Sequence, residues 1–183
     1  MKIEDLPLKG SFIMHPAVFE DHRGTFFESY NQRLLDKVLG YSPQFVQDNQ
    51  SGSKYGVLRG LHLQLGDFAQ AKLVRALAGE ILDILVDVRP DSPQFGESYS
   101  LVISAANRIQ LFIPRGFAHG FVVLSETATI HYKADNYYNK EAESGLLYND
   151  PELNIDWQIP SQDIITSEKD LILPTLAQFR QLL

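Results

Sequence analysis

Short stretches of alternating apolar and polar residues follow one another along most of this chain, separated by turn residues. The clearest is residues 79–89, in which the even positions from 82 to 88 are all aliphatic. This period of two predicts a β-strand with one fully apolar face. The other face carries Asp83 and Asp87 beside Ile81 and Leu85, so we expect at least one of the two carboxylates to be buried and paired.

Similar β-prone stretches recur along the chain, and proline or glycine marks most of the turns between them. The first bends at Pro16, and residues 45–50 combine a β-prone start with a polar trio. Turn signals spaced by roughly 8–12 residues indicate an all-β sandwich or barrel. The other predicted strands are residues 10–20, 25–30, 99–104, 109–113, 118–124 and 128–133.

Helical patterns are confined to two short segments. Asn31 is a good N-cap, aliphatic residues between positions 34 and 39 form one face, and Gly40 ends the predicted helix. The chain becomes loop-rich from Tyr148 onward, and a last short helix is predicted to start at Pro174. Its inward residues would be Leu176, Phe179 and Leu183.

Residues 57–75 bring together the basic side chains Arg59, His62, Lys72 and Arg75. The pattern predicts a hairpin of two paired strands that turns at residues 65–67, with His62 on the face opposite to Arg59. A histidine and a lysine on paired strands can point into one cavity, flanked by arginines suited to an anion. The alternative is that His62 is a hydrogen-bonded core histidine and Lys72 a solvated edge residue.

Length and composition narrow the function classes. At 183 residues the chain suits one domain, which we predict to cover residues 1–183. No apolar run approaches a membrane span and no signal peptide is recognised, so we expect a cytoplasmic protein without membrane contact. The absence of cysteine excludes disulfides and thiolate metal sites. The net charge of −7 argues against a general nucleic-acid binder, so a ligand phosphate needs a local cluster of Arg and Lys.

Residues 113–119, Ile-Pro-Arg-Gly-Phe-Ala-His, resemble the second half of a cupin signature, in which a Pro-x-Gly turn precedes an inward-facing histidine. The first half normally supplies a His-x-His pair and a glutamate to a metal ion. Here that place has His62-Leu63-Gln64, so the second histidine is absent. Two histidines without a placed carboxylate make a poor transition-metal site. We therefore predict a cupin-type jelly-roll barrel with a few short peripheral helices and with neither metal nor cofactor.

A metal-free cavity with these groups suits proton abstraction beside a carbonyl. His62 could act as the base, Lys72 could stabilise the enolate oxygen, and Tyr132 could return a proton from the opposite side. Asp170 could orient the ring of His62. The alternatives are that Tyr132 is a half-buried sheet aromatic and that residues 167–170 form a helix capping box.

Several segments, in order along nearly the whole chain, match one enzyme family. They are Phe45-Val46-Gln47-Asp48-Asn49, Leu58-Arg59-Gly60-Leu61-His62, Ala69-Gln70 with Lys72-Leu73-Val74-Arg75, Gly79-Glu80, Ser92-Pro93 with Phe95-Gly96, Ile113-Pro114 with Gly116-Phe117-Ala118-His119-Gly120-Phe121, Tyr132-Lys133, Asn149-Asp150-Pro151 and Ser167 with Lys169-Asp170. In these segments the chain resembles the dTDP-4-dehydrorhamnose 3,5-epimerases, which are metal-independent cupins.

The resemblance implies His62 as general base paired with Asp170, and Tyr132 as general acid. It implies Lys72 and His119 at the sugar. The remaining positions that it implies for substrate binding are Arg23, Glu28, Gln47, Asp48, Asn49, Arg59, Glu143 and Lys169. It also implies a dTDP-sugar as substrate and a homodimer that exchanges N-terminal strands.

The expected reaction is epimerisation of dTDP-4-dehydro-6-deoxy-D-glucose at carbons 3 and 5 to dTDP-4-dehydro-L-rhamnose. One alternative is an epimerase that inverts a single centre in a related dTDP-deoxysugar pathway. A non-catalytic sugar-nucleotide binder would need neither a base nor an acid, and Gln64 disfavours a metal-dependent cupin dioxygenase. Leu63, Phe112 and Tyr148 depart from the common family pattern, which bears on fine specificity rather than on the chemistry.

Overall fold

Two antiparallel β-sheets face each other in the computed structural model, which describes residues 1–182. Leu183, which the sequence predicted to face inward, lies outside the described residues. The strands are β1 Lys2–Asp5, β2 Phe12–His15, β3 Val18–Asp21, β4 Gly24–Phe27, β5 Gln47–Lys54, β6 Leu58–Gln64, β7 Lys72–Ala78, β8 Glu80–Asp87, β9 Ser98–Ser104, β10 Gln110–Ile113, β11 Phe117–Val123, β12 Thr127–Ala134 and β13 Glu143–Gly145. The helices are α1 Gln32–Leu39 and α2 Leu176–Arg180.

The larger sheet has the strand order β1-β2-β10-β7-β12-β5, and the smaller has β13-β6-β11-β8-β9. Strands β3 and β4 form a separate two-stranded sheet. The main core lies between the two large sheets, where Val74 from β7 meets Leu85 from β8 and Phe121 from β11. This architecture confirms the all-β class with few short helices. The boundary of a single domain at residues 1–183 stays a prediction.

Two further apolar clusters cover the outer faces of the sheets. On the smaller sheet, side chains of β6, β8 and β11 pack under the C-terminal segment, which contributes Trp157 and Phe179. On the larger sheet, Phe12, Phe112 and Leu35 pack together, with Leu35 supplied by α1. Because apolar clusters cover both the inner and the outer faces of the two large sheets, many strands have apolar residues on both faces.

The local predictions for β8 and α1 are confirmed. In β8, Ile81 and Leu85 face the main core, whereas the even-numbered aliphatic residues belong to the outer cluster. Asp83 and Asp87 are both completely buried. In α1, the Asn31 side chain accepts a hydrogen bond from Leu34 N, and Gly40 ends the helix with a left-handed φ of 74°.

The predicted hairpin over residues 57–75 is wrong. Strand β6 belongs to the smaller sheet and β7 to the larger, so the two strands do not pair. Residues 65–71 connect them through a 3₁₀ turn over Gly66–Phe68. A connection of this length exceeds an ordinary hairpin loop and allows the chain to cross between sheets. His62 and Lys72 consequently face each other from opposite walls.

The N-terminal prediction is only partly correct. The single strand expected over residues 10–20 is two strands, β2 and β3, which belong to different sheets and are separated at Pro16. Strand β4 is shorter than the predicted residues 25–30. The pairing of β1 with β2 was not predicted, because β1 lacks a clear alternating pattern. None of the helices in the described part of the chain is long and apolar enough to cross a membrane.

Candidate active site

A cavity of about 590 Å³ lies between the facing sheets. The larger sheet contributes side chains from β5, β7 and β12, and the smaller sheet contributes β6, β11 and β13. The segment around residues 165–170 closes one side. The predicted site residues that line this cavity are Asn49, Arg59, His62, Lys72, His119, Tyr132, Glu143, Lys169 and Asp170.

A β-bulge in β6 sets which side chains enter the cavity. His62 pairs with His119 of β11 and Arg59 pairs with Phe121, so one more residue separates the pairs on β6 than on β11. Arg59 and His62 therefore share the cavity face, contrary to the strict alternation that the sequence predicted. The strands approach so closely that a Cβ on Gly60 would lie 2.5 Å from Gly120 Cα. Glycine at both positions permits the bulge.

His62 is held by a buried carboxylate. Its Nε2 lies 2.5 Å from Asp170 Oδ1, and the Asp170 side chain is 3% exposed. An ionised carboxylate can only accept, so Nε2–H donates and Nδ1 is left as the basic nitrogen. Burial lowers the pKa of His62 below its usual 6.5, and the hydrogen bond to Asp170 opposes part of that effect. The imidazole is thus neutral and able to take a proton at neutral pH.

The segment that carries Asp170 is anchored to β6. Leu58 N donates to Ile165 O at 2.9 Å, and Ile165 N donates to Gly56 O at 2.8 Å. Asp170 lies in a 3₁₀ turn over Glu168–Ile172. Ser167 makes no side-chain capping bond there, so the capping-box alternative is wrong. The anchoring brings a residue far away in the sequence within hydrogen-bond distance of His62.

A second histidine–carboxylate pair lies next to the first. His119 is buried, and its Nε2 lies 2.9 Å from Asp83 Oδ2. Asp83 is completely buried, and burial raises its pKa although His119 opposes that effect. The expectation that Asp83 is buried and paired is confirmed, and the pair fixes the His119 ring on the cavity wall.

Lys72 and Tyr132 face the histidines from the larger sheet. The Lys72 Nζ lies 5.8 Å from the centre of the Tyr132 ring. Burial lowers the pKa of Lys72 to about 8, and the charges of Asp83 and Glu143 oppose the shift. Burial raises the pKa of Tyr132, so its hydroxyl keeps a proton that it can donate. The neutral imidazole of His62 and the protonated phenol of Tyr132 therefore lie on opposite walls of one cavity.

Further polar groups surround the mouth of the cavity. Glu143 accepts from Lys169 Nζ at 2.6 Å and from the Tyr138 hydroxyl at 2.9 Å. Burial acts to raise the pKa of Glu143, but the hydrogen bonds from Lys169 and Tyr138 and the nearby positive charge of Lys169 together outweigh it, so the pKa is lowered. Arg59 Nε donates to Ser53 Oγ at 3.1 Å, and within residues 1–182 its terminal NH₂ groups have no protein acceptor, so a ligand can bind them.

Four predicted substrate-binding residues do not line this cavity in the chain described. Gln47 lies just beyond it and donates to Asn49 Oδ1 at 2.9 Å. Asp48 points to the outer face of the larger sheet, where Lys133 Nζ lies 2.9 Å away. Arg23 is exposed on the β3–β4 hairpin and pairs with Asp21 at 2.6 Å. Glu28 accepts from Asn31 Nδ2 at 3.1 Å.

Arg75 was expected to flank the ligand, and this is wrong. It points away from Lys72 to the outer face of β7, with its guanidinium 5.5 Å from the centre of the Phe27 ring. Sequence reasoning also missed several lining residues. Gln64 could have been found, since it lies two residues after His62 and therefore on the same face. The other missed lining residues include Ser51, Gln70, Phe121, Thr166 and Ser167.

Within residues 1–182, no three His, Asp or Glu side chains are grouped so that they could hold a metal ion. What the cavity does offer is a neutral imidazole on one wall and a phenol and an ammonium group on the other. These groups can remove a proton beside a carbonyl, stabilise the enolate and return a proton from the other side. The fold and the site thus define a β-sandwich isomerase of the epimerase class.

Comparison with known proteins identifies the family. The chain belongs to the dTDP-4-dehydrorhamnose 3,5-epimerase family, whose sequence model matches residues 5–178. The dTDP-4-dehydrorhamnose 3,5-epimerase of Salmonella typhimurium is 51% identical over 166 residues, which are 91% of this chain and 90% of that protein. The family confirms the resemblance read from the sequence motifs.

Solved structures agree in fold. The crystal structure of dTDP-4-dehydrorhamnose 3,5-epimerase from Elizabethkingia anophelis has a TM-score of 0.93 at 54% identity, covering 96% of both chains. The Legionella pneumophila enzyme, crystallised in complex with dTDP-4-keto-L-rhamnose, has a TM-score of 0.92 at 43% identity, covering 96% of this chain and 93% of that one. The cupin-type jelly roll is confirmed.

Proposed function

We propose that this chain epimerises dTDP-4-dehydro-6-deoxy-D-glucose at carbons 3 and 5, which gives dTDP-4-dehydro-L-rhamnose for dTDP-L-rhamnose biosynthesis. One observation carries the proposal. His62, paired with Asp170 at 2.5 Å, lines the same cavity as Tyr132 and Lys72, which come from the opposite sheet. A binding protein needs no such pairing of base and acid.

In the proposed mechanism His62 removes the proton from the carbon next to the 4-keto group. The electron pair of the C–H bond moves into a carbon–carbon double bond, and the carbonyl becomes an enolate. Lys72 in its charged form stabilises the enolate oxygen. Tyr132 then donates its hydroxyl proton to the opposite face of the carbon, and solvent restores the protonation of Tyr132 and His62. The same cycle at the second carbon completes the reaction.

The cations of the cavity suit the diphosphate. The chain as a whole has a net charge of −7, yet Arg59, Lys72 and Lys169 line this one cavity. An arginine fork pairs well with phosphate oxygens, and Arg59 has its terminal NH₂ groups available. Asn49 from the larger sheet and Glu143 from the smaller sheet add further polar groups to the cavity. We therefore assign Arg59 to the diphosphate and leave Lys72 and His119 to the sugar.

The homodimer with N-terminal strand exchange is part of the proposal. Strands β3 and β4 form their own two-stranded sheet, on which Phe19 is 65% and Phe26 is 72% exposed. Two large aromatic side chains left in solvent support a role at an interface. Arg23 and Glu28, which do not line this chain's own cavity, would then serve the cavity of a partner subunit.

Mixing two inactive variants tests the exchange. Arg23→Ala would damage the cavity of the partner, and Tyr132→Phe would damage the cavity of its own subunit. A mixed dimer would then hold one cavity with both residues intact, so we expect activity to return after co-refolding. Sedimentation that finds a fully active monomer, or a mixture that stays inactive, would refute the exchange.

We also propose that the enzyme works in the cytoplasm, because nucleotide sugars are made there from nucleoside triphosphates. Fractionation of cells that express the tagged chain would test this. Recovery of the active enzyme outside the cytoplasmic fraction would refute it.

Product analysis in deuterated water tests the reaction itself. The 4-keto sugar nucleotide is incubated with the enzyme, and the product is examined by NMR for deuterium and configuration. Inversion with label at both carbons 3 and 5 supports the proposed function. Label and inversion at a single carbon would make the enzyme a single-centre epimerase, and no label at either carbon would refute epimerisation.

A further inference from the structure

We propose that Gln64 is a ligand-binding residue whose side-chain amide donates a hydrogen bond to an oxygen atom of the sugar nucleotide. The inference rests on the proposed function and adds a binding residue to it. In the sequence, Gln64 stands out only because a metal-binding cupin would have a histidine in its place.

The orientation of the Gln64 amide is fixed by the backbone. Gln64 lies on the cavity wall two residues after His62 and is only 6% exposed. Its Oε1 accepts from the backbone N–H of Asn139 at 2.8 Å. A backbone N–H can only donate, so the amide atom that faces it must be the carbonyl oxygen. The Nε2 group and its two hydrogens therefore point away from Asn139.

The Nε2 group of Gln64 has no protein acceptor within residues 1–182. In the same range, every completely buried side-chain nitrogen or oxygen has a hydrogen-bond partner. Gln64 Nε2 is therefore not sealed in the core but open to the cavity that the residue lines. A donor held in this position needs an acceptor from the bound ligand, because an unmatched buried polar group destabilises the complex.

The neighbouring backbone N–H orients a second amide in the same way. Tyr138 N donates to Gln47 Oε1 at 3.1 Å, and Gln47 Nε2 donates to Asn49 Oδ1 at 2.9 Å. The Asn49 amide nitrogen is thereby left for the cavity that Asn49 lines. The backbone N–H groups of Tyr138 and Asn139, two adjacent residues after β12, thus orient side-chain amide donors on both walls of the cavity. This polarity suits a ligand rich in acceptor oxygens, such as a sugar diphosphate.

Two substitutions separate ligand binding from anchoring of the loop. Gln64→Glu keeps an acceptor for Asn139 N–H but has no donor when ionised, and Gln64→Met keeps the length but has neither. We expect both variants to lose about 10–100-fold in kcat/KM, as for a lost hydrogen bond to a polar ligand. The Gln64→Glu enzyme should melt within a few degrees of the wild type, because the loop contact persists.

Asn139→Ala is the matched control. Its side chain accepts from Glu141 N at 2.8 Å and from Ala142 N at 3.3 Å, so its removal weakens the cap of the 3₁₀ turn over Lys140–Ala142 but keeps the backbone N–H that holds Gln64 Oε1. We expect kcat/KM to stay within about threefold of the wild type, because no ligand contact is lost. An equal loss in Asn139→Ala, or wild-type kcat/KM in either Gln64 variant, would overturn the inference.

The affinity for dTDP, measured by calorimetry, locates the acceptor. Weaker dTDP binding by both Gln64 variants assigns the bond to the diphosphate, whereas unchanged dTDP binding with reduced kcat/KM assigns it to the sugar.

Failure of the inference is distinct from failure of the proposed function. A wild-type enzyme that exchanges no deuterium refutes the function, whereas an active wild type with equally active Gln64 variants refutes only the role of Gln64.

Discussion

His62 and His119 lie directly opposite each other on neighbouring antiparallel strands, and a different carboxylate holds each ring. The His62 Nε2 is 2.5 Å from Asp170, and the His119 Nε2 is 2.9 Å from Asp83. The His62 side chain is 26% exposed, whereas that of His119 is 8% exposed. The more open histidine is therefore the one that can take up a proton from a substrate and pass it to solvent.

Asp170→Asn should lower the rate and also shift its pH dependence. Asp170 acts to raise the pKa of His62, while burial keeps that pKa below 6.5. The base must be neutral, so kcat/KM falls as the pH drops through this pKa. Without the carboxylate the pKa of His62 falls further, and the acid limb should move to lower pH. The plateau should drop by about 10²–10⁴-fold, as for other His–Asp pairs.

Glu168→Gln is the control for this change, because Glu168 is an exposed carboxylate in the same 3₁₀ turn. Its pH profile of kcat/KM should match that of the wild type. An Asp170→Asn enzyme with an unshifted acid limb and an unchanged plateau would remove Asp170 from the mechanism.

Lys72 should give the alkaline limb of the pH profile. Its pKa is about 8, and only the charged form stabilises the enolate, so kcat/KM should fall above about pH 8. Lys72→Met should lose at least about 100-fold in kcat/KM, the usual scale for one oxyanion-stabilising group. Lys54→Met, on the exposed face of β5, should leave the profile unchanged. If the residual activity of the Lys72→Met enzyme shows the same alkaline limb, that limb reports the titration of another group.

The same substitution should also alter stability. The pKa of Lys72 is lower in the fold than the usual 10.5, so the unfolded chain binds more protons between about pH 8 and 10.5. The free energy of unfolding of the wild type should therefore rise with pH across that window, relative to Lys72→Met. Below pH 8, Lys72→Met should be the more stable protein, because it buries no charge. Parallel urea titrations at several pH values measure both differences.

Arg59→Ala should mainly weaken binding. An arginine fork bound to diphosphate oxygens acts equally on the ground state and the transition state, so KM should rise about 10–100-fold with little change in kcat. Calorimetry should find a matching loss of affinity for dTDP. Arg33→Ala, on the exposed face of α1, is the control. A fall in kcat at unchanged dTDP affinity would instead place Arg59 at the reacting carbons.

Much of the fold could be predicted from the sequence, because short-range patterns set it. The alternation in β8 and the caps of α1 at Asn31 and Gly40 act over a few residues, and both predictions are confirmed. Which strands pair with each other, in contrast, is not decided by short-range sequence patterns. The same alternating patterns fit a β6–β7 hairpin or two strands in different sheets, and only packing of the whole core decides between them.

The candidate site likewise has features that the sequence could predict and features that it could not. The family resemblance gave nine of the lining residues, whereas the bulge at Gly60 placed Arg59 on the face of His62 against the alternation rule. The free donor of Gln64 depends on the backbone of Asn139, 75 residues away, and has no local signature in the sequence. Such long-range hydrogen bonds become visible only in three dimensions.

His62 and Tyr132 should be separable in deuterated water, and this test addresses the mechanism most directly. If His62 removes the sugar proton, His62→Asn should abolish both solvent exchange and epimerisation. If Tyr132 only delivers a proton to the other face, Tyr132→Phe should still form the enolate but block inversion. The enolate would then collapse back through His62 to the starting configuration, with deuterium from solvent. NMR of the recovered sugar nucleotide measures exchange and configuration together.

Tyr99→Phe, on β9 away from the cavity lining, is the matched tyrosine control and should behave as wild type. Normal inversion by Tyr132→Phe, or proton exchange by His62→Asn, would show that the two roles have been assigned to the wrong residues.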